Sequence, residues 1–367
     1  MKAHDSGASY PPLRPAGGND VSEAPPLRQL RVGEHVIAYR ESGASDGRPI
    51  ILVHGWPQTS RAWRHQLVGL GSLGYRVIAP DLRGTGGSTV FPAPEHYSLR
   101  HHVADLIALI DGLGIDRATW VGHDWGAPVV WCAARHHPAR FAAAGSLSTP
   151  YDTLERGFER VVSFVRRDVY PESEYPAGQV DYYRFYSECF LDARRQFESD
   201  VRSFFANVLR SDEPGQQNVV WPTATVCRRG GWFDGGPAPA VDADHRVVSD
   251  EDLDHFVDAY SETGFFGVNA LYVNDVDNRT FVEEAGSDRV EFPALLVIGR
   301  HDYVNDAAYS ELAAPMRELC DDLDVREVDA GHWVHQERPA EITAAIDALA
   351  QRGAGTQTKP ESSARPR

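Results

Sequence analysis

The chain has 367 residues, with 53 acidic and 36 basic side chains and a formal net charge of -17 at pH 7. This length can bury a substantial core and fits one large α/β domain that carries an insertion. The acidic balance and the lack of a basic cluster exclude nucleic acid as an expected partner.

Neither membrane association nor a metal centre is expected from the sequence. No apolar run is long enough to span a bilayer. The four cysteines show neither close pairing nor metal-ligand spacing, which predicts reduced thiols in a cytoplasmic protein without a metal. The first 27 residues are rich in Pro, Gly, Ser and Ala and lack the apolar segment of a signal peptide. We therefore predict a flexible leader at 1–27 and a flexible tail at 352–367.

Strand and helix patterns alternate along the first half of the chain. Strands at 27–32 and 35–41 flank Gly33-Glu34, which predicts a hairpin with a tight two-residue turn whose first residue is glycine. The pattern as a whole predicts an α/β fold with a mostly parallel, eight-stranded sheet and helices on both faces. The remaining predicted strands are 50–53, 75–79, 118–121, 141–147, 292–298 and 324–328, and the helices are 60–70, 98–113, 126–137, 305–319 and 339–351.

The alternation stops between residues 149 and 291. Aromatic helical patterns occur at 182–197 and 256–272, and a Gly/Pro-rich stretch at 230–239 lies between them. Because the sheet pattern resumes afterwards, we predict a helical lid at 149–291 inserted into a core formed by 28–148 and 292–351. An independent second domain is the less favoured alternative. A lid of this kind would exclude water and line a pocket.

The most informative motif is Gly122-His123-Asp124-Trp125-Gly126, at the junction between a predicted strand and a predicted helix. Its glycines allow the strained turn of a nucleophile elbow, which exposes the central side chain. A carboxylate is ionised at neutral pH and can form an ester by displacing a leaving group from an sp3 carbon. Asp124 is therefore predicted to attack an electrophile such as an epoxide or an alkyl halide, and the missing serine disfavours an esterase.

Two further polar residues follow predicted strands. Asp302 comes after the strand at 292–298, and His332 comes after the strand at 324–328. The order Asp124, Asp302, His332 is the nucleophile–acid–histidine order of the α/β-hydrolase scaffold. In that scaffold the backbone N–H groups of Trp56 and Trp125 would form an oxyanion hole. Pro57 predicts a rigid turn after Trp56, with either a trans or a cis bond.

Together with Asp81-Leu82-Arg83-Gly84 and Gly331-His332-Trp333, these motifs resemble the soluble-type epoxide hydrolases of the α/β-hydrolase superfamily over residues 28–350. The resemblance implies opening of a small-molecule epoxide through an Asp ester, release of a vicinal diol, and no cofactor. It also implies two lid tyrosines over the nucleophile. Tyr272 lies at the expected offset for one of them. The register of 181–198 favours Tyr186 for the other and leaves Tyr182 and Tyr183 open.

Two alternatives remain beside this prediction. A haloalkane or haloacid dehalogenase would use the same Asp nucleophile. Trp56 stands where many haloalkane dehalogenases carry a halide-binding Asn, which weighs against this activity. A non-catalytic ligand-binding protein on the hydrolase fold is disfavoured because it would not need Asp124, Asp302 and His332 together. The stretch at 230–239 is longer than a compact lid requires, so the shape of the pocket stays open, as does homo-oligomerisation.

Overall fold

The computed structural model describes residues 24–355, so most of the predicted leader and tail lies outside the described residues. The predicted tail is wrong at its inner end, because residues 352–355 form the last turn of the C-terminal helix. Arg352 holds this turn by donating to both the backbone oxygen and the carboxylate of Asp322, at 2.8 and 2.6 Å. Within residues 24–355, no helix combines the length and the apolar character needed to cross a bilayer.

The predicted eight-stranded, mostly parallel sheet is confirmed. Its strands lie in the order β1-β2-β4-β3-β5-β6-β7-β8. The pairs β1–β2 and β2–β4 are antiparallel, and the remaining pairs are parallel. The strands are Leu27–Val32 (β1), His35–Gly43 (β2), Pro49–Val53 (β3), Arg76–Pro80 (β4), Ala118–His123 (β5), Phe141–Leu147 (β6), Ala294–Gly299 (β7) and Leu323–Val328 (β8).

Helices cover both faces of this sheet. The helices are Arg64–Ser72 (α1), Leu99–Gly112 (α2), Gly126–His136 (α3), Phe158–Val162 (α4), Asp181–Glu188 (α5), Phe190–Ser199 (α6), Val201–Val208 (α7), Asp250–Thr263 (α8), Phe266–Asn269 (α9), Asp275–Glu284 (α10), Ala314–Leu319 (α11), Val334–Glu337 (α12) and Pro339–Gly355 (α13). On β3, Ile50 and Leu52 join the apolar cluster formed with α1 and α13. Ile51 and Val53 point the other way, into the cluster formed with α2 and α3. Both faces of the strand are therefore buried, which explains its continuous apolar sequence.

Helices α4–α10 lie between β6 and β7, which are neighbours in the sheet. The aromatic pattern at 182–197 forms two helices, α5 and α6, that are separated at Cys189. The pattern at 256–272 is also broken, at Gly264, where the backbone φ is +64°. The division of the chain into a core and a lid at 149–291 stays a prediction, and this placement of helices supports it.

The helix predicted at 305–319 is wrong in its first half. Residues 305–313 form turns, and α11 begins only at Ala314. The backbone N–H of Asn305 donates to Asp302 Oδ1 at 3.1 Å, and Asp306 has a positive φ of 56°. A side-chain acceptor of this kind competes with helix formation for the backbone donor. Pro315, which suits the first turn of a helix, then allows α11 to start.

Candidate active site

Asp124 lies in a tight turn between β5 and α3. Its backbone φ is +51°, an uncommon value for a residue with a side chain. A Cβ on Gly122 would come within 2.3 Å of the Gly126 carbonyl oxygen, and one on Gly126 within 2.2 Å of the Val53 carbonyl oxygen. Both glycines are therefore required for the turn to close. The turn places the Asp124 side chain at the carboxyl edge of the parallel strands.

The Asp124 carboxylate accepts hydrogen bonds from two backbone N–H groups. The Trp56 N–H donates to Asp124 Oδ1 at 2.7 Å, and the Trp125 N–H also hydrogen-bonds this carboxylate. A Cβ on Gly55 would meet Asp124 Oδ1 at 2.4 Å, so glycine permits the close approach of the loop. The Trp56–Pro57 bond is cis, one of the two alternatives predicted for this turn. The structure thus brings both predicted oxyanion donors to the predicted nucleophile.

Asp302 and His332 follow the neighbouring strands β7 and β8. The His332 Nδ1 atom lies 3.0 Å from Asp302 Oδ2, and Nε2 lies 3.7 Å from Asp124 Oδ2. The carboxylate partner keeps a proton on Nδ1, and Nε2 is the nitrogen that faces Asp124. The three predicted residues are therefore adjacent, in the arrangement of a general base held beside a nucleophile.

Burial and charge set the protonation of these groups. Burial raises the pKa of Asp124 to about 6, against the opposing effects of His332 and the two N–H groups. Burial also disfavours the charged form of His332, but Asp302 and Asp124 outweigh it and raise its pKa to about 9. Burial likewise opposes ionisation of Asp302, yet the charge and hydrogen bond of His332 keep the pKa of Asp302 below its usual value. At pH 7 Asp124 is thus mainly ionised, and His332 mainly carries a proton on both nitrogens. Formation of the Asp124 ester removes one of the charges that raise the pKa of His332, which favours the neutral base for the second step.

Three supporting residues were not identified from the sequence. The His332 carbonyl oxygen accepts hydrogen bonds from Ser148 Oγ and His123 Nε2, both at 2.9 Å. Burial, and then the neighbouring His332, lower the pKa of His123 to about 3, so His123 is a neutral donor. Asn305 Nδ2 donates to Asp302 Oδ2 at 3.2 Å. Of these three residues, only His123 could have been found from the sequence, because it directly precedes Asp124 in the elbow motif.

A cavity of about 490 Å³ opens over Asp124 and His332. Tyr272, the first predicted tyrosine, lines this cavity, and so does Tyr182. The Tyr182 and Tyr272 ring centroids are 6.2 Å apart. Burial, followed by neighbouring groups that include the Asp124 carboxylate, raises the pKa of both phenols, so both carry a proton at neutral pH. Two protonated phenols thus line the same cavity as the predicted nucleophile.

Tyr186, the tyrosine favoured by the sequence register, is placed differently. Its side chain is fully buried, does not line the cavity, and accepts a hydrogen bond from Trp232 Nε1 at 2.7 Å. Its ring packs on Trp56 and Tyr272, with centroids 5.0 and 4.6 Å away. The expectation for Tyr186 therefore needs correction. One turn of α5 separates it from Tyr182, and the sequence alone did not determine which turn borders the cavity.

The other open alternative, Tyr183, points to a different part of the insertion. Its hydroxyl donates to the Asp275 carboxylate at the start of α10. The long stretch at 230–239 contributes Trp232, whose indole both supports Tyr186 and lines the cavity. The unexpected length of this stretch therefore alters the wall of the pocket.

Comparisons with known proteins agree with this fold and site. The pattern of the alpha/beta hydrolase fold family matches residues 48–339. Epoxide hydrolase A of Mycobacterium tuberculosis is 33% identical over 83% of this chain and 91% of its own length. Bifunctional epoxide hydrolase 2 of Sus scrofa is 29% identical over 81% of this chain, which spans 50% of that relative. The crystal structure of epoxide hydrolase A from Mycobacterium thermoresistibile superposes with a TM-score of 0.70 at 31% identity, over 89% of this chain and 98% of that one.

The architecture, with its elbow between β5 and α3, is that of an α/β hydrolase whose elbow carries a carboxylate. The chain belongs to the α/β-hydrolase fold family and, within it, to the epoxide hydrolase family. The family predicted from the sequence motifs is thereby confirmed.

Proposed function

We propose that this chain hydrolyses a small-molecule epoxide to a vicinal diol through an ester of Asp124. The observation that carries the proposal is that Tyr182 and Tyr272 line the same cavity as Asp124. Opening an epoxide generates an alkoxide, which needs a proton donor, whereas a departing halide needs none. The two phenols therefore favour an epoxide over an alkyl halide as the substrate.

In the first step, Asp124 attacks one carbon of the epoxide ring. The C–O bond to that carbon breaks as the ester bond forms. The Tyr182 and Tyr272 hydroxyls hydrogen-bond the ring oxygen and stabilise the charge that develops on it. One phenol then supplies the proton that completes the first hydroxyl group of the product.

In the second step, His332 accepts a proton from a water molecule, which attacks the ester carbonyl carbon. Asp302 keeps the Nδ1 proton of His332 in place and stabilises the imidazolium that forms. The N–H groups of Trp56 and Trp125 stabilise the tetrahedral oxyanion, as they already do for the resting carboxylate. Collapse of the intermediate expels the diol oxygen, which takes the proton of the imidazolium. The Asp124 carboxyl group that results then loses its remaining proton, which restores the phenolate of the first step to the neutral phenol, and the diol leaves.

A single-turnover experiment in 18O-labelled water tests this function. Excess enzyme reacts with styrene oxide, and the diol and the peptide that contains Asp124 are analysed by mass spectrometry. The first diol should contain no label, because its second hydroxyl oxygen comes from Asp124, and the label should appear in Asp124. Direct attack of water on the epoxide would instead put the label in the diol.

A short alkyl halide, tested in parallel, separates the two Asp-nucleophile activities. We expect styrene oxide to be consumed much faster than the halide. Halide release together with an unreacted epoxide would reassign the chain to dehalogenation and leave the two tyrosines without the proposed role. An Asp124→Asn variant that retains turnover with either substrate would contradict the assignment of the nucleophile.

A further inference from the structure

The segment that follows α7 is tied to the loop that carries His332. Ser211 Oγ donates to Glu337 Oε2 in α12. The same carboxylate accepts the Gly331 N–H, at 3.1 Å to each oxygen. Glu337 therefore joins the insertion to the residue that precedes His332.

The same segment is also tied to the loop that carries Asp302. The Tyr303 hydroxyl donates to the Glu213 carbonyl oxygen and accepts from the Gln216 N–H, both at 3.1 Å. Because Tyr303 directly follows Asp302, residues 211–216 are held against both catalytic loops. The contacts of Ser211 on one side and of residues 213–216 on the other therefore fix the backbone position of Asp212.

That residue, Asp212, presents an unpaired carboxyl group to the active site. It lines the cavity with Asp124 and His332, and its Oδ2 lies 3.2 Å from the point that a Cβ on Gly331 would occupy. Within residues 24–355 no group donates a hydrogen bond to this carboxyl, and no basic side chain forms an ion pair with it. Asp212 is half-buried in the wall of this cavity, so its carboxyl group lies on the same space as the catalytic groups and can respond to a charge that develops there.

The groups that face Asp212 come from four neighbouring elements. Asp302 follows β7, His332 follows β8, Glu337 belongs to α12, and Arg246 precedes α8. Burial first, and then Asp302 and Glu337, raise the pKa of Asp212 to about 8, whereas His332 and Arg246 act in the opposite direction. Conversely, Asp212 is one of the carboxylates that counteract burial and raise the pKa of His332. Each of the two groups therefore changes the protonation of the other.

We propose that Asp212 is a positioning residue for ester hydrolysis, acting through His332 by balancing the positive charge that the imidazole acquires. The inference rests on the proposed function. When the attacking water transfers its proton to His332 Nε2, the Asp212 carboxyl releases its own proton to water in the cavity. It takes a proton back when His332 returns to the neutral form. Asp212 forms no bond with the substrate, because the epoxide oxygen accepts its hydrogen bonds from the two tyrosines.

The test is Asp212→Asn, which keeps the size of the side chain and removes its charge. Rapid-quench single turnovers with styrene oxide, read by intact mass across the stable pH range, separate ester formation from ester hydrolysis. We expect ester formation within about two-fold of the wild type, because no contact to the epoxide is lost. We expect hydrolysis about ten-fold slower at its plateau, with the midpoint of its acid limb lowered by about one pH unit.

Glu213→Gln is the matched control, since it removes the same charge one residue further along. The Glu213 carboxylate is exposed and pairs with Arg246 at 2.8 Å, so its loss should leave the midpoint unchanged. Two results would overturn this inference and leave the proposed function intact. One is an acid-limb midpoint in Asp212→Asn equal to that of the wild type. The other is an equal slowing of ester formation and ester hydrolysis together with a lower melting temperature. Absence of an Asp124 adduct in the wild-type protein would overturn the proposed function and this inference with it.

Discussion

The assignment of the second proton donor can be tested with two conservative variants of one helix. Tyr182→Phe and Tyr186→Phe each remove a single hydroxyl group from α5, one helical turn apart. The Tyr182 hydroxyl belongs to a ring that lines the cavity, whereas the Tyr186 hydroxyl accepts the Trp232 indole N–H. The two variants are therefore matched in chemistry and differ only in what the lost hydroxyl contacts.

The structure predicts opposite effects on rate and stability. Removal of an aligned donor at an oxyanion-type site lowers the rate by about 10²–10³. Because Tyr272 remains, we expect the lower value, about 10², for Tyr182→Phe, which corresponds to about 2.7 kcal/mol of activation free energy. Tyr186→Phe leaves the Trp232 N–H without its acceptor, so we expect a loss of about 1–3 kcal/mol in the free energy of unfolding. Its rate of ester formation should remain within a few-fold of the wild type.

The assay combines rapid-quench measurement of the Asp124 ester with equilibrium unfolding in urea for each variant. Ester formation reports the donor directly, since the later hydrolysis step does not use the phenols. If Tyr186→Phe lost about 10² in ester formation while Tyr182→Phe kept the wild-type rate, the reasoning from the cavity lining would be refuted. The register favoured by the sequence would then be correct.

Two further variants test the other half of the mechanism. His332→Gln should form the ester and then stall, so intact mass should show a stable adduct; full turnover with an unmodified mass would contradict the role of the base. Asp124→Asn should stabilise the fold, because burial raises the pKa of Asp124 from 3.8 to about 6 and the ionised carboxylate is unfavourable in the folded state. By linkage this penalty is absent below about pH 4, grows between pH 4 and 6, and reaches on the order of 3 kcal/mol at pH 7. Urea unfolding at pH 7 and near pH 4 should therefore show a stability gain for Asp124→Asn that vanishes at the lower pH, and an equal gain at both would rule out this explanation.

The sequence predicted those parts of the site that depend on local patterns at strand ends. Asp124, Asp302 and His332 each follow a strongly apolar strand, and parallel strands bring their carboxyl ends to one edge of the sheet. Their proximity thus follows from the topology, and the topology follows from the alternation of strands and helices. The glycines of the elbow were equally informative, because Gly122 and Gly126 leave no room for a Cβ.

The remaining features depend on contacts between distant segments. Whether Tyr182 or Tyr186 borders the cavity depends on the rotation of α5, which its packing on Trp56 and Trp232 determines. The position of Asp212 depends on Glu337, which lies more than a hundred residues further along the chain. Helical periodicity at 305–319 was overridden by the hydrogen bond from the Asn305 N–H to Asp302. No local pattern in the sequence encodes these long-range contacts.

The position of helices α4–α10 in the chain has a consequence for how such an enzyme diversifies. The chain leaves the sheet after β6 and returns at the adjacent β7, where Leu147 pairs with Val297. The two junctions therefore lie side by side, while Asp124, Asp302 and His332 all reside outside the stretch that they enclose. A chimera that exchanges this stretch for one from a relative would keep its nucleophile and its base, and would take both the pocket wall and the two phenol donors from the relative. Recombination at these two junctions could thus change which epoxides are accepted while the ester-forming and ester-hydrolysing groups stay in place.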